Sequence, residues 1–197
     1  MISLHVWISS LLFALIHSLF ASQWCKRWFY QFGMSSQCYR LLYSFLALLL
    51  TILWFYYIYM LPDTPLYRIT GGLNWLMLAV QLSGLLITLY SLKSFDTGLF
   101  LGLKSTHEEP EPFHEHGIYH YIRHPMYSGI MLALLASPAH TLNSWNLTIC
   151  ISLYFIIGAR FEERRMINIH PEYREYRRRV PAFLPWRALF HSPRRSQ

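Results

Sequence analysis

Four stretches of this 197-residue chain are apolar for long enough to cross a lipid bilayer. They cover residues 2–21, 41–61, 73–92 and 142–159, against the roughly 20 residues that a helix needs to span the hydrocarbon. Backbone N–H and C=O groups meet no water at that depth, so each run has to satisfy its own hydrogen bonds as a helix. Composition agrees, with 54% of residues hydrophobic, 17% aromatic and 14% charged. The expected fold is an all-α, polytopic integral membrane protein of about five transmembrane helices. The fifth candidate, 126–136, is shorter and is interrupted by Pro138. It is expected to cross with a kink, the alternative being a re-entrant hairpin with the segment that follows.

The first run lacks a preceding basic cluster, and no small-residue cleavage pattern leads into a soluble domain, so it reads as a retained helix. Lys26, Arg27 and Arg40 lie near the first connection, Lys93, Lys104 and Arg123 in the third, and ten arginines from Arg160 onward. With five spans, the positive-inside rule places those loops and the C-terminal tail in the cytoplasm and the N-terminus outside. The net charge of +7 is concentrated in that tail. Arginines beside a membrane segment fit anionic lipid, at about 1 kcal/mol each, so membrane lipid is the expected partner and nucleic acid is not. Cys25, Cys38 and Cys150 form no CxxC or CxxH pattern, and neither a zinc site nor a disulfide framework is expected. One membrane domain is expected, with a three-helix region over 1–92 and a cofactor-binding region over 93–197.

Two polar clusters lie against these apolar runs. Gly117-Ile-Tyr-His-Tyr-Ile-Arg-His-Pro-Met-Tyr127 precedes the short apolar segment, and Arg160-Phe-Glu-Glu163 follows the last span. Charged groups at a bilayer edge persist where they face a polar cavity or bind something. The long polar stretch 93–123 between them has the size of a binding loop, and Glu108-Glu-Pro-Glu-Pro112 inside it disfavours helix. Pro125 suits the first position of a helix. It would leave His124 near the N-cap and the N–H groups of Met126, Tyr127 and Ser128 open at the positive end of the helix dipole. Arg123 adds a planar cation, while Glu162 and Glu163 offer acceptors. A ligand with a carboxylate, an ammonium and sugar hydroxyls satisfies the set, and S-adenosylmethionine is one. Methyl transfer asks mainly for alignment in a dehydrated cleft. Charge and spacing alone imply an anionic or zwitterionic ligand at a membrane face.

The pattern Gly117-x-Tyr119-x-x-x-Arg123-His124-Pro125-x-Tyr127-x-Gly129, then Arg160-x-Glu162-Glu163, then Tyr173-x-x-Tyr176-Arg-x-Arg-Val-Pro181, resembles the isoprenylcysteine carboxyl methyltransferase superfamily. Ser137-Pro138, Phe95-Asp96, His17-Ser18 and Tyr39-Arg40-x-x-Tyr43 are most similar to its branch of methanethiol S-methyltransferases and NnrU-like bacterial membrane proteins. The resemblance implies an S-adenosylmethionine-dependent methyltransferase with a cytoplasmic-face cofactor pocket, acting on a small thiol or a lipophilic, isoprenylcysteine-like acceptor. It implies that Tyr119, Arg123, His124, Pro125, Met126 and Tyr127 bind the cofactor, with Glu162 or Glu163 completing the pocket and Arg160 lying near the acceptor as the catalytic candidate. Glu111-Pro-Phe-His114 stands where the prenylcysteine enzymes carry a His-x-Leu-Val cofactor segment, which brings His114 into the set.

Other classes remain open at this point. His116, His120 and His124 recur at i, i+4 and i+8, and a haem or metal would find three ligands there if the segment were helical. Pro125 opposes that helix. A phospholipid amine N-methyltransferase and a non-catalytic lipid-binding protein are the remaining alternatives.

Overall fold

The computed structural model describes residues 2–93, 98, 103–104, 113 and 115–186. The helices are α1 (Ile2–Ala21), α2 (Gln23–Gln31), α3 (Ser36–Met60), α4 (Gly72–Leu92), α5 (Pro125–Leu135), α6 (Leu142–Ile169) and α7 (Tyr173–Arg179). A 3-10 turn covers Gly117–His120, and two short strands, β1 (Pro65–Arg68) and β2 (Ala139–Thr141), pair antiparallel. The chain is an all-α polytopic membrane protein. Helices α1, α3, α4 and α6 are long and apolar enough to cross a bilayer. The expected fifth segment, α5, has 11 residues, about 16 Å at 1.5 Å per residue.

Outward-facing apolar side chains follow from lipid being the solvent. Leu4, Ile8, Leu11, Leu15 and Leu19 stand on one stripe of α1 and each keeps at least half of its surface exposed. Such residues would be misplaced in a water-soluble bundle and are at home against acyl chains.

The described residues form two compact units that interleave along the chain. One holds α1, α2, α3, the strand pair and the first half of α6. Inside it, His17 on α1 hydrogen-bonds Tyr154 at 2.9 Å and Tyr43 at 3.1 Å, while Phe13 stacks on Trp54 with ring centroids 4.3 Å apart. Both ring nitrogens of His17 are thereby paired, which is how a titratable group tolerates such surroundings. The strand pair sits where α3 gives way to α4 and α5 to α6. Asp63, just after α3, caps α6 by accepting the Asn143 N–H at 3.0 Å, and the Asn143 side chain donates to the Pro62 carbonyl at 2.9 Å. A carboxylate at that position complements the positive helix end.

The other unit holds α4, the 3-10 turn, α5, the second half of α6 and α7. Its defining contact is α4 against α5. A Cβ on Gly84 would fall 2.6 Å from the Gly129 carbonyl oxygen and 2.7 Å from the Ala133 nitrogen. Close approach through small residues is the usual way helices associate in lipid, where packing replaces the hydrophobic effect. Gln81 adds a side-chain bond to the Ala133 carbonyl at 3.0 Å, and Thr88 bonds the Gly84 carbonyl at 3.0 Å.

Gly84→Ala and Gly129→Ala should each lower the thermal midpoint of the detergent-solubilised protein, by an overpacking cost of about 1–3 kcal/mol. Gly158→Ala, whose Cβ would meet nothing within 4 Å, should leave the midpoint unchanged or raise it, through a helix-propensity gain of about 0.5–1 kcal/mol.

Candidate functional site

The two polar clusters of the sequence meet within the second unit. Pro125 is the first residue of α5, His124 is its N-cap, and α6 runs ten residues past its apolar stretch to carry Arg160, Glu162 and Glu163. Arg123 binds this arrangement together. Its Nε donates to Glu163 Oε1 at 2.8 Å, its Nη2 lies 2.6 Å from the same oxygen, and its Nη1 donates to the carbonyls of Arg177, at 2.9 Å, and Val180. Both side chains of the ion pair are 9% exposed. The backbone repeats the connection, because the Arg123 and His124 N–H groups donate to the Pro181 and Ala182 carbonyls at 3.0 Å each. Ser128 Oγ donates to the Phe183 carbonyl at 2.8 Å.

Below this clasp, Met166, Tyr173, Tyr176 and Val180 form a buried cluster with Phe113 packed against it. The Tyr176 hydroxyl donates to the Tyr119 carbonyl at 2.6 Å. Burial pushes the Tyr173 and Tyr176 phenols above their ordinary range. Burial, with the Glu162 carboxylate adding to it, pushes the Tyr119 phenol up to about 12. These three hydroxyls are therefore neutral donors throughout the physiological range.

Aromatic rings and a half-exposed carboxylate adjoin this clasp, with His124 itself buried. His124 and Tyr127 stack at 5.5 Å with an interplanar angle of 8°, and Tyr127 stacks on Phe155 at 4.7 Å and 10°. Three near-parallel rings thus form one slab. The Tyr127 hydroxyl donates to Glu162 Oε2 at 3.1 Å, His124 Nε2 lies 3.1 Å from Glu163 Oε1, and His124 Nδ1 lies 3.8 Å from Glu162 Oε2. Glu162 is the accessible carboxylate, with 40% of its side chain exposed. Tyr90, Gly117, Ile118, His120 and Tyr121 line an open depression of about 530 Å³.

The structure brings Tyr119, Arg123, His124, Tyr127, Glu162 and Glu163 together, with Pro125 buried beneath them and Met126 half-buried beside it. Arg160 is exposed and makes no ion pair among the described residues. His114, His107 and the segment Glu108–Pro112 lie outside the described residues. Two expectations need correcting. The Ser128 N–H is not open, since it donates to the His124 carbonyl at 3.0 Å. The three-histidine helical face does not form, because the backbone makes a 3-10 turn over Gly117–His120 and restarts as helix only at Pro125. Among the described residues no group of three His, Cys, Asp or Glu stands close enough to hold a metal. Phe155 and the carbonyls of Arg177, Val180 and Phe183 are parts of the candidate site that sequence reasoning missed. Phe155 stands seven residues before Glu162, two turns along one helix face, and that spacing was its signal.

The NnrU protein family model matches residues 5–150, which include the first polar cluster but not the second. Methanethiol S-methyltransferase 2 of Bradyrhizobium diazoefficiens is 32% identical over 182 residues, covering 88% of this chain and 70% of the relative. Methanethiol S-methyltransferase 1 of the same organism is 30% identical, over 89% of this chain and 64% of the relative. The methanethiol S-methyltransferase of Mycobacterium tuberculosis is also 30% identical, over 88% and 74%. The chain thus spans about two thirds to three quarters of the length of these relatives. No solved structure matches it. The resemblance to this branch, first read from short motifs, holds over most of the sequence, and the chain belongs to the NnrU protein family.

Proposed function

We propose that this membrane methyltransferase takes its methyl group from S-adenosylmethionine and transfers it to a small thiol. The observation that carries the reading is the slab of His124, Tyr127 and Phe155 beside the accessible carboxylate of Glu162, in a chain whose relatives are named methanethiol S-methyltransferases. The residues present fit such a donor. The half-buried rings of Tyr127 and Phe155 suit contact with a purine or a sulfonium cation, and a half-exposed carboxylate suits ribose hydroxyls or an ammonium group. When bound, S-adenosylmethionine supplies an electrophilic methyl on positively charged sulfur.

Tyr119, His124, Met126, Tyr127 and Glu162 then make up the cofactor side, with Pro125 fixing the start of α5 and Glu163 holding Arg123 in place. Arg123 serves by position, since its donors are spent on Glu163 and on two carbonyls. Arg160, exposed on the same helix as the two glutamates, is assigned to the acceptor side. In the transfer the thiol sulfur forms the new carbon–sulfur bond, the old one breaks, and the thiol proton leaves to solvent. The chain's contribution is alignment and exclusion of water. The arginines of the tail favour a cytoplasmic C-terminus in a bacterial inner membrane.

Two tests follow. In calorimetric titration of S-adenosylhomocysteine into the detergent-purified protein, Tyr127→Ala and Glu162→Gln should each weaken binding by about tenfold or more, the size expected for a lost hydrogen bond to a charged group. Arg160→Ala should spare that affinity and slow conversion of methanethiol to its volatile thioether. Unchanged affinity in the first two variants overturns the cofactor site, and label appearing in a prenylcysteine or a lipid amine instead of the thioether overturns the acceptor. Second, Arg123→Ala leaves the buried Glu163 with only His124, at 3.1 Å, and Arg177, at 3.8 Å, beside it, and should cost up to about 3–5 kcal/mol of stability, read as a lowered thermal midpoint. Arg123→Lys keeps the charge but loses the planar fork, and its midpoint should fall between those of wild type and the alanine variant.

A further inference from the structure

Between α1 and α3 the chain makes a helix that the methyltransferase reading does not use. α1 ends at Ala21 and α3 begins at Ser36. The two are membrane-length helices packed on each other, so the connection between them runs along one face of the bilayer. α2 is capped there by Ser22, whose hydroxyl accepts the Cys25 N–H at 3.2 Å, and Ser35 caps α3 in the same way through the Cys38 N–H at 3.1 Å.

At 100° per residue, the side chains of α2 fall into three sectors. Cys25, which is buried, and Phe29 face the protein, and the Phe29 ring lies 5.3 Å from that of Tyr39. The Tyr39 hydroxyl donates to the Phe20 carbonyl at 2.5 Å, so one residue ties the end of α1, α2 and the first turn of α3 together and fixes the height of α2. Trp24, Trp28 and Phe32 form a second sector at i, i+4 and i+8, and they are 72%, 49% and 74% exposed. Trp28 and Phe32 pack edge to face at 4.8 Å, making a continuous apolar ridge. Gln23 and Arg27, both exposed, form the third sector, and Gln31 stands on its border with Trp24, about 20° away. α2 carries Lys26 and Arg27 and no Asp or Glu.

We infer that α2 is an anionic-phospholipid-binding element lying in the headgroup plane, with Trp24, Trp28 and Phe32 entering the acyl boundary and Arg27 holding a lipid phosphate. Tryptophan is enriched at membrane interfaces because its ring is apolar and its N–H is polar. A helix with an apolar ridge beside a basic polar face is the form that settles there. The charge of α2 is of one sign, which complements an anionic surface. This inference is independent of the methyl-transfer reading.

The test uses the full chain, reconstituted in vesicles of phosphatidylcholine and phosphatidylglycerol, with a nitroxide at Trp28→Cys, Trp24→Cys or Gln23→Cys in a Cys38→Ser background. The labels at 28 and 24 should relax more with oxygen than with a water-soluble nickel chelate, and the label at 23 should show the reverse. In native mass spectrometry, Arg27→Gln should retain phosphatidylglycerol about five-fold less well, the loss expected for one charge at the surface. If positions 24 and 28 are as open to the nickel chelate as position 23, the ridge faces water and the inference fails. It also fails if those positions are shut to both reagents in a protein that elutes as a dimer, since a second copy then covers the ridge. Phosphatidylglycerol retention unchanged in Arg27→Gln overturns the anionic-lipid assignment.

Discussion

One buried ion pair organises the polar end of this membrane protein. Taking Arg123 and Glu163 out of water costs more than a single Coulombic contact returns, and the structure compensates by giving the guanidinium two backbone carbonyls as well as the carboxylate. Those carbonyls belong to the segment after α6, so the same cation that neutralises Glu163 also folds the chain back over the start of α5. Parallel backbone bonds from Arg123 and His124 to Pro181 and Ala182 make the return path specific. With Glu163 committed in this way, Glu162 is left as the carboxylate available to a ligand. Two adjacent glutamates thereby take different roles, decided by which side of the helix meets the arginine.

Much of this was legible in the sequence because lipid enforces simple rules. The run at 2–21 becomes a helix with those bounds, and α3, α4 and α6 grow from the other three runs. Pro125 at the first position of α5 and His124 at its N-cap follow from the chemistry of a ring without an N–H. Other parts were hidden for physical reasons. α2 has nine residues with two cations among aromatics, a composition that reads as a loop until the ends of α1 and α3 force it to lie flat. The β1–β2 pair depends on segments more than 70 residues apart, beyond the reach of local pattern. Arg123 looked like a cation for a ligand, and only the position of the segment after α7 shows that its donors are already used.

The aromatic slab illustrates how little an apolar residue announces its purpose. Phe155 sits inside a run of membrane-spanning composition and is indistinguishable by type from its neighbours. Its ring becomes part of the site because α6 continues past the hydrocarbon without a break, keeping residues seven apart on one face. The site is thus built from a span and from the extension of that span, with hydrophobic and charged groups aligned by a single helical phase.

The approach of α4 to α5 bears on how this part of the protein can move. Gly84 and Gly129 bring two backbones into contact, and Gln81 bonds across to the Ala133 carbonyl, while Thr88 turns its hydroxyl back to the Gly84 carbonyl of its own helix. The two helices form one rigid plank. Parting them would break the Gln81–Ala133 bond and open two closely packed backbones to hydrocarbon, so the pair moves as one body.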